Sequence, residues 1–440
     1  MPFNYVTVKA SSELFAPATR AYGDIVIIGK GAIGSTASSD ALSFAYPSDA
    51  VEAYPKGVTK LTEKATAAAT TLSTRANFPA GTVVTIGEGT SAEDCTVKST
   101  AAGESGAFTW TLETGVAAEH AAGEDVVAHG LSDLAAAISI AFRQTPPPTR
   151  IWGVQVAYGS PDWDKGLNVA KELAVQIVVL ANSPLGEQPS TDHPVELLAK
   201  HVDTVSNTGG DGKERIGVAM LDPTLSAAKM RDLNKSAIHT DRMVLIAHKS
   251  ATDDVAAAVA GAIAGYEPHI SLLLKPLSIN MTEFFSVRDI DTLVARSINW
   301  VTSPPLLSGG GLYMGEGLTA SPSNNKKYID IVRTLDDVGF RIKASLIEAI
   351  GDLRIDRPGL RTVVTLVQTV LSPLVSRGVI ESYVIQIPLL VLLERDRATL
   401  TADEVKLISD TRSSRSLDMD VSVVYAGVIH QLTVKLSLKG

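Results

Sequence analysis

From Leu131 to Ala264 the chain alternates short aliphatic runs with stretches of helical spacing, and no other feature restricts its fold so much. Leu134, Ile138, Ala141 and Phe142 mark one face of a helix that stops at Pro146-Pro147-Pro148. Strand Ile151 to Ala157 follows, then a helix around Gly166 to Leu173 and strand Gln176 to Leu180. Next come helix Pro194 to Val205, strand Ile216 to Leu221, helix Leu225 to Leu233, strand Met243 to Ala247 and the Ala-rich helix Asp253 to Ala264. Strands separated by helices in this rhythm predict a largely parallel sheet with both faces covered. At 440 residues the chain is too long for one simple core, so further domains are expected around this body.

Upstream, the buried-type strand Ile25-Val26-Ile27-Ile28 runs into Gly29-Lys30-Gly31-Ala32-Ile33-Gly34, formally GxGxxG. Dinucleotide binding needs a helix to start inside the glycines, so that its N-terminus faces a pyrophosphate. Here Ser35-Thr36-Ala37-Ser38-Ser39-Asp40 follows, a polar turn stretch, and Tyr46-Pro47-Ser48-Asp49 reads as a turn where a second strand ending in an acid is required. A loop between a strand and a surface helix is the better account, with an α/β nucleotide-binding enzyme using Gly29–Gly34 as the alternative. After Leu61 to Ala76, rich in Ala and Thr, come short runs: Thr82 to Ile86, Cys95 to Val97, Phe108 to Leu112 and Asp125 to Val127. Separated by Gly, Ser, Ala and Glu, they predict a small β domain inserted over residues 78–130.

Ser303-Pro304-Pro305 and Gly309-Gly310-Gly311 mark a boundary, and Ser321 to Lys327 reads as a polar linker. Two long helices follow. The first carries Val332, Leu335, Ile342, Leu346 and Ile350; the second carries Val363, Leu366, Val367, Val370, Leu371 and Leu374, with Pro373 in its last turn and Arg377-Gly378 as C-cap. Strands Tyr383 to Ile387 and Val421 to Tyr425 make this part α+β. Leu417, Met419, Val421, Val423 and Tyr425 alternate, and past Ala426-Gly427 so do Val428, Leu432, Val434, Leu436 and Leu438, broken by His430. A period of two describes a strand with one buried face. Residues 1–9 read as another short strand, with Phe3, Tyr5, Val6 and Val8, ahead of the polar Ser11-Ser12-Glu13.

Hydrophobic residues make up 45% and charged ones 20%, which excludes wholesale disorder. Aromatics at 5% and a net charge of −9 disfavour a nucleic-acid surface. Cys95 is the single cysteine, so no internal disulfide and no multi-thiolate metal site can form. The start lacks the features of a signal peptide, and the longest apolar runs, Val255 to Ile263 and Ile385 to Leu393, fall short of the roughly 20 residues of a membrane span. A soluble protein made without export is expected.

Chemistry-bearing patterns are thin. Asn207 to Glu214 lacks the first glycine and the final Ser/Thr of a phosphate loop. His193 and His201 flank one helix without a third metal ligand, which makes them solvated or capping residues. Asp162, Asp164, Asp253 and Asp254 are helix-start acids, and Asp336-Asp337 a charged helix face. No catalytic residue, metal or cofactor is expected, and the chain reads as a non-enzyme.

Several stretches resemble, in order, the contractile tail sheath proteins of phages, archaeal viruses and related injection systems. They are Arg20-Ala21-Tyr22-Gly23 with Gly29 to Gly34, Val259-Ala260-Gly261-Ala262-Ile263-Ala264, Lys275-Pro276-Leu277 and Asp289-Ile290-Asp291-Thr292-Leu293. Ser297-Ile298-Asn299-Trp300-Val301, Tyr328 to Arg333, Arg377-Gly378-Val379-Ile380 and Tyr425 to His430 continue the series. Each motif is weak alone; their order is the specific part, and it covers residues 1–60 and 131–440.

The resemblance implies an α/β and α+β multidomain fold. Its parts would be an N-terminal arm (1–22), an α/β body (23–77 and 131–320) with a subtilisin-like middle domain lacking catalytic residues, and the β insertion as surface decoration. A C-terminal sheath domain (321–425) and a C-terminal arm (426–440) complete it. It further implies six-fold rings of this chain stacked around a tail tube, with baseplate and tail terminator proteins as further partners, and neither nucleic acid nor membrane insertion. Strand exchange by the arms would use Phe3, Tyr5, Val6, Val8, Val428, Leu432, Val434, Leu436 and Leu438, with Ala426 and Gly427 as hinge. The location implied is a virion tail assembled in the host cytoplasm, or a cytoplasmic injection particle.

Overall fold

A computed structural model describes residues 23–428, apart from residues 34, 39, 104–105, 188–192, 208–211, 236, 308–309 and 322–325. The chain divides into two units, one reaching to Val332 and the other starting at Arg333. The larger unit opens with β1 (Ile25–Lys30), whose residues Ile25 to Ile28 are fully buried, as a strand covered on both faces requires. After the Gly29 loop come β2 (Ala41–Phe44) and α1 (Pro47–Ala53), so the loop leads to an edge strand rather than to a helix. Pro47 at the first helical position turns the expected 46–49 turn into a helix start.

A six-stranded β domain interrupts the body here: β3 (Val58–Lys60), β4 (Thr71–Thr74), β5 (Val83–Ile86), β6 (Glu93–Ala102), β7 (Phe108–Leu112) and β8 (Asp125–Ala128). Its order is β3-β8-β5-β6-β7-β4, all antiparallel. Leu61 bridges to Thr74, and the Thr62 amide donates to the Ser73 carbonyl at 2.9 Å, so the chain leaving β3 lies beside β4. That contact joins the two ends of the sheet, which curls into a small barrel. Trp110, Phe78, Val84, Ile86, Val97, Leu112 and Val126 fill it, with Phe78 and Trp110 ring centroids 4.8 Å apart. The sheet therefore takes in Val58–Lys60 and Thr71–Thr74, ahead of residue 78. Alternating Thr71, Leu72, Ser73 and Thr74 supply a strand inside a stretch whose alanines mask the period of two.

The chain then re-enters the body through α2 (Asp133–Phe142), β9 (Ile151–Val156), α3 (Trp163–Lys171), β10 (Ile177–Leu180), α4 (Pro194–Asn207), β11 (Ile216–Met220), α5 (Ala227–Leu233), β12 (Met243–Ala247) and α6 (Val255–Gly265). It ends with β13 (Pro276–Leu277), α7 (Val287–Val294), β14 (Asn299–Thr302) and β15 (Leu312–Met314). The nine-stranded order is β13-β15-β14-β12-β11-β10-β1-β9-β2, parallel from β14 to β9 and antiparallel at both edges. Helices α2 and α6 cover one face, α3, α4, α5 and α7 the other. Helix α6 is built from Ala and Gly because it presses on α2: a Cβ at Gly261 would collide with the Ala141 backbone. Asn299, fully buried, ties strand ends together, donating to the carbonyls of Leu245 and Leu318 and accepting the Leu318 amide.

Helix α8 (Ile329–Ile347) leads into the smaller unit, which holds α9 (Arg357–Ser376), β16 (Ile380–Gln386), α10 (Pro388–Glu394), α11 (Ala402–Ser414) and β17 (Asp420–Tyr425). The sequence reading missed α10 and α11. Helix α10 starts on Pro388 directly behind a strand, and α11 has no buried residue to give it an apolar stripe. Among the described residues, α9 is the one helix long and apolar enough to cross a membrane, contrary to expectation. Its apolar residues Val363, Val367, Val370, Leu371 and Leu374 form a buried stripe, however, as in the core helix of a globular domain.

Candidate assembly surface

In the smaller unit β16 and β17 pair antiparallel, Tyr383 opposite Val423 and Ile385 opposite Val421. These four side chains face Val338, Val367, Leu371 and Leu374 of the helices, while Val384 and Val424 point outward and are half exposed. Each strand has one ladder partner among the described residues, so within them neither outer edge of the sheet is paired. Two strands span about 10 Å, whereas two packed helices present about 20 Å. The shortfall is visible on α8, where Ile342 and Leu346 are partly covered and Leu335 and Ile347 are 53% and 70% exposed. Edge strands without a ladder partner present unpaired backbone N–H and C=O groups.

Of the residues expected in the arms, Phe3, Tyr5, Val6, Val8, Leu432, Val434, Leu436 and Leu438 lie outside the described residues. Val428 is 46% exposed just beyond β17. Ala426 and Gly427 connect the two without regular structure, and a Cβ on Gly427 would meet nothing within 4 Å.

The patterns weighed for chemistry have structural explanations. A Cβ on Gly29 would lie 2.7 Å from the Ala181 Cβ and 3.0 Å from the Leu134 Cα, so this glycine lets α2 approach the sheet. Ile33 of the same loop packs against the barrel core. The neighbouring helix starts are already capped by protein oxygens: Ser132 accepts the Ala135 amide, and Asp254 accepts the amides of Ala257 and Asn182. A phosphate would find carboxylates there, not free N–H groups. Asp162 likewise caps α3, whereas Asp253 pairs with Arg143 at 2.7 Å.

His193 accepts the Val195 amide at the start of α4. His201 sits 3.5 Å from Arg215, and burial, with Arg215 and Lys171 adding to it, holds its pKa down to about 4. Arg215, fully buried and unmarked by any sequence signal, is the notable residue here. Its guanidinium donates to the carbonyls of Ala170 and Leu173, both at 2.8 Å, and so closes the C-terminus of α3. Burial and nearby carboxylates raise the Cys95 thiol to about 11, the state of an inert core cysteine. Among the described residues no group of His, Cys, Asp and Glu is arranged to hold a metal.

No protein-family model and no curated protein sequence matches the chain. Solved structures do. A chain of the anti-feeding prophage helical sheath in its contracted state aligns over 99% of both chains at a TM-score of 0.57 and 11% identity. A chain of the six-fold symmetrised anti-feeding prophage baseplate aligns over 100% of this chain and 99% of its own, at 0.58 and 10%. The sheath complex of an extracellular contractile injection system, PVC, in its contracted state covers 69% of this chain and 81% of its own, at 0.51 and 15%. Alignment along both chains nearly end to end includes the α/β body and the unit carrying the open sheet. The chain has the fold of the contractile tail sheath proteins.

Proposed function

We propose that this chain is a structural subunit of a contractile tail or injection-system sheath, and not an enzyme. It polymerises as stacked six-fold rings around an inner tube and contracts to drive that tube through a target envelope. The observation that carries this reading is the two-stranded β16–β17 sheet, unpaired on both outer edges among the described residues, in a chain whose fold follows sheath proteins over nearly its whole length. Terminal strands of neighbouring copies, carrying Phe3, Tyr5, Val6 and Val8 or Val428, Leu432, Val434, Leu436 and Leu438, complete that sheet and cover Ile342 and Leu346. The α/β body corresponds to the subtilisin-like middle domain of such proteins without its catalytic residues. The barrel, its end strands bridged at Leu61 and Thr74, decorates the surface.

Ordering an arm costs about 1–2 kcal/mol per residue, comparable to the roughly 0.5–1.5 kcal/mol that each ladder hydrogen bond returns. Arms therefore order only when an apolar groove and a lattice of neighbours add to the gain. Ala426 and Gly427 let the arm stay paired while the bodies slide. Tube, baseplate and terminator proteins are the further partners, and the particle is a virion tail or a cytoplasmic injection system. Electron microscopy of the purified full chain in negative stain tests this: helical tubes or rings are expected. A protein that stays monomeric at every concentration and salt condition overturns the reading.

A further inference from the structure

Residues 113–124 link β7 to β8 and bring one imidazole, that of His120, against two carboxylates. His120 is fully buried. Its Nε2 lies 2.6 Å from Glu93 Oε1 at the start of β6, and its Nδ1 lies 2.8 Å from Glu124 Oε2. Glu93 also accepts the amides of Ala117 and Ala118, at 2.6 and 3.1 Å, and Glu124 accepts that of Ala121 at 2.9 Å. Backbone bonds zip the segment to residues 65–69. Ala65 and His120 exchange N–H···O bonds of 2.9 Å in both directions, and Val116 does the same with Ala68 and Ala69. Val116, 1% exposed, plugs the barrel core.

The geometry dictates the charge state. An ionised carboxylate only accepts hydrogen bonds, so a ring with a carboxylate oxygen against each nitrogen satisfies both only as the imidazolium. A neutral ring would turn a lone pair towards one carboxylate and leave that contact without a proton between the two atoms. The charged groups facing His120 are Glu93 from β6 and Glu124 from its own segment. Glu119 is engaged with Lys64 at 2.6 Å, and Asp94 turns away to Thr85 and His129. The turn between β5 and β6 contributes Gly87, where even a Cβ would stand 3.0 Å from Glu124 Oε2. Burial disfavours the charge on His120, but the bonds to Glu93 and Glu124 outweigh it and raise its pKa above the ordinary 6.5.

We propose that His120 is a proton-operated latch. As the imidazolium it ties β6 to residues 113–124 and keeps the barrel end shut; when it loses its proton, the segment lifts. Lifting exposes Val116 and unzips residues 65–69. Those residues also help wall an open polar groove of about 1040 Å³, lined by Thr62, Lys64, Thr71 and Arg75 among others, so the latch sets the shape of that groove. The stabilisation is complete below the unfolded-state value of 6.5 and is lost as pH rises through the raised folded value.

Amide hydrogen exchange read by mass spectrometry on the full chain, from about pH 6 to about pH 9.5 and corrected for the intrinsic rate, tests this. Protection in peptides covering 60–70 and 113–124 should fall by up to about tenfold per pH unit above the transition, while β7 stays protected. His120→Gln should lack that protection at every pH, His129→Gln should leave the transition unchanged, and Glu124→Gln should move it to lower pH. Should His120→Gln fail to fold, a carbon-13 histidine NMR titration of the wild-type chain decides. A His120 midpoint at or below 6.5, or exchange in these peptides independent of pH, overturns the latch.

Discussion

Tyr383 stands directly opposite Val423 in the antiparallel pair of the smaller unit, and both side chains lie in one cluster with the buried Val367 and Leu371. This cross-strand pair therefore sits in the middle of a core roofed, among the described residues, by two strands. Leu371, fully buried, should lose about 2–5 kcal/mol on change to Ala, read by chemical denaturation. Val384→Lys on the outward face should stay within about 0.5 kcal/mol. Equal effects from the two would mean that the sheet faces have been assigned the wrong way round.

Deleting residues 428–440 should leave the thermal transition of the folded units in place and abolish tubes in negative stain. The cut falls after β17, so no described ladder bond is lost. Normal tubes from the truncated chain would remove the arm from the assembly scheme.

Gly29→Ala forces a Cβ to within 2.7 Å of the Ala181 Cβ, an overpacking that should cost about 1–3 kcal/mol. A thermal-shift panel with NAD, NADP and ATP should show no stabilisation of the wild-type chain. A saturable shift with any of them, lost in Gly29→Ala, would favour the nucleotide-binding alternative.

Arg215→Ala strands the carbonyls of Ala170 and Leu173 at a buried helix end and should destabilise the larger unit by about 3 kcal/mol. Arg215→Lys should recover only part, because one ammonium cannot reproduce the guanidinium fork. A change smaller than about 0.5 kcal/mol in the denaturation midpoint would show that the cap is dispensable.

Acid should weaken the larger unit through His248, which is 2% exposed and has no partner on either ring nitrogen among the described residues. Burial holds its pKa to about 4, against about 6.5 in the unfolded chain. The unfolded chain binds the proton first, so stability is complete above pH 6.5 and falls by up to about 3 kcal/mol as pH drops towards 4. His248→Gln should shrink that limb in urea titrations at pH 7 and pH 4.5, leaving the share of His201, whose pKa burial holds down in the same way. His120 works in the opposite direction, so its variants should leave the acid limb unchanged.

Much of the larger unit was legible in the chain. The strands from Ile151 to Ala247 and the helices between them lie within a few residues of where the period of the apolar positions places them, because burial on two faces leaves an uninterrupted aliphatic run. The loop at Gly29 was legible only as a negative, a glycine pattern without the following helix. That Ile33 clips the barrel to the body, and that Gly29 serves a helix–sheet approach, needed the neighbours in space. Arg215 carried no signal at all, since its partners are backbone carbonyls more than 40 residues away.

By itself the sequence determined which segments alternate, where glycine and proline stop them, and which terminal stretches resemble strands in search of an edge, all of which are local matters of periodicity and turn chemistry. Only the tertiary structure decided that the ends of the β3–β8 sheet meet while, among the described residues, the β16–β17 sheet stays unpaired at both edges. Closure depends on Leu61 reaching Thr74, and openness on how much helix surface two strands can roof. Both are pairings between distant residues, to which the spacing of side chains along one strand is blind.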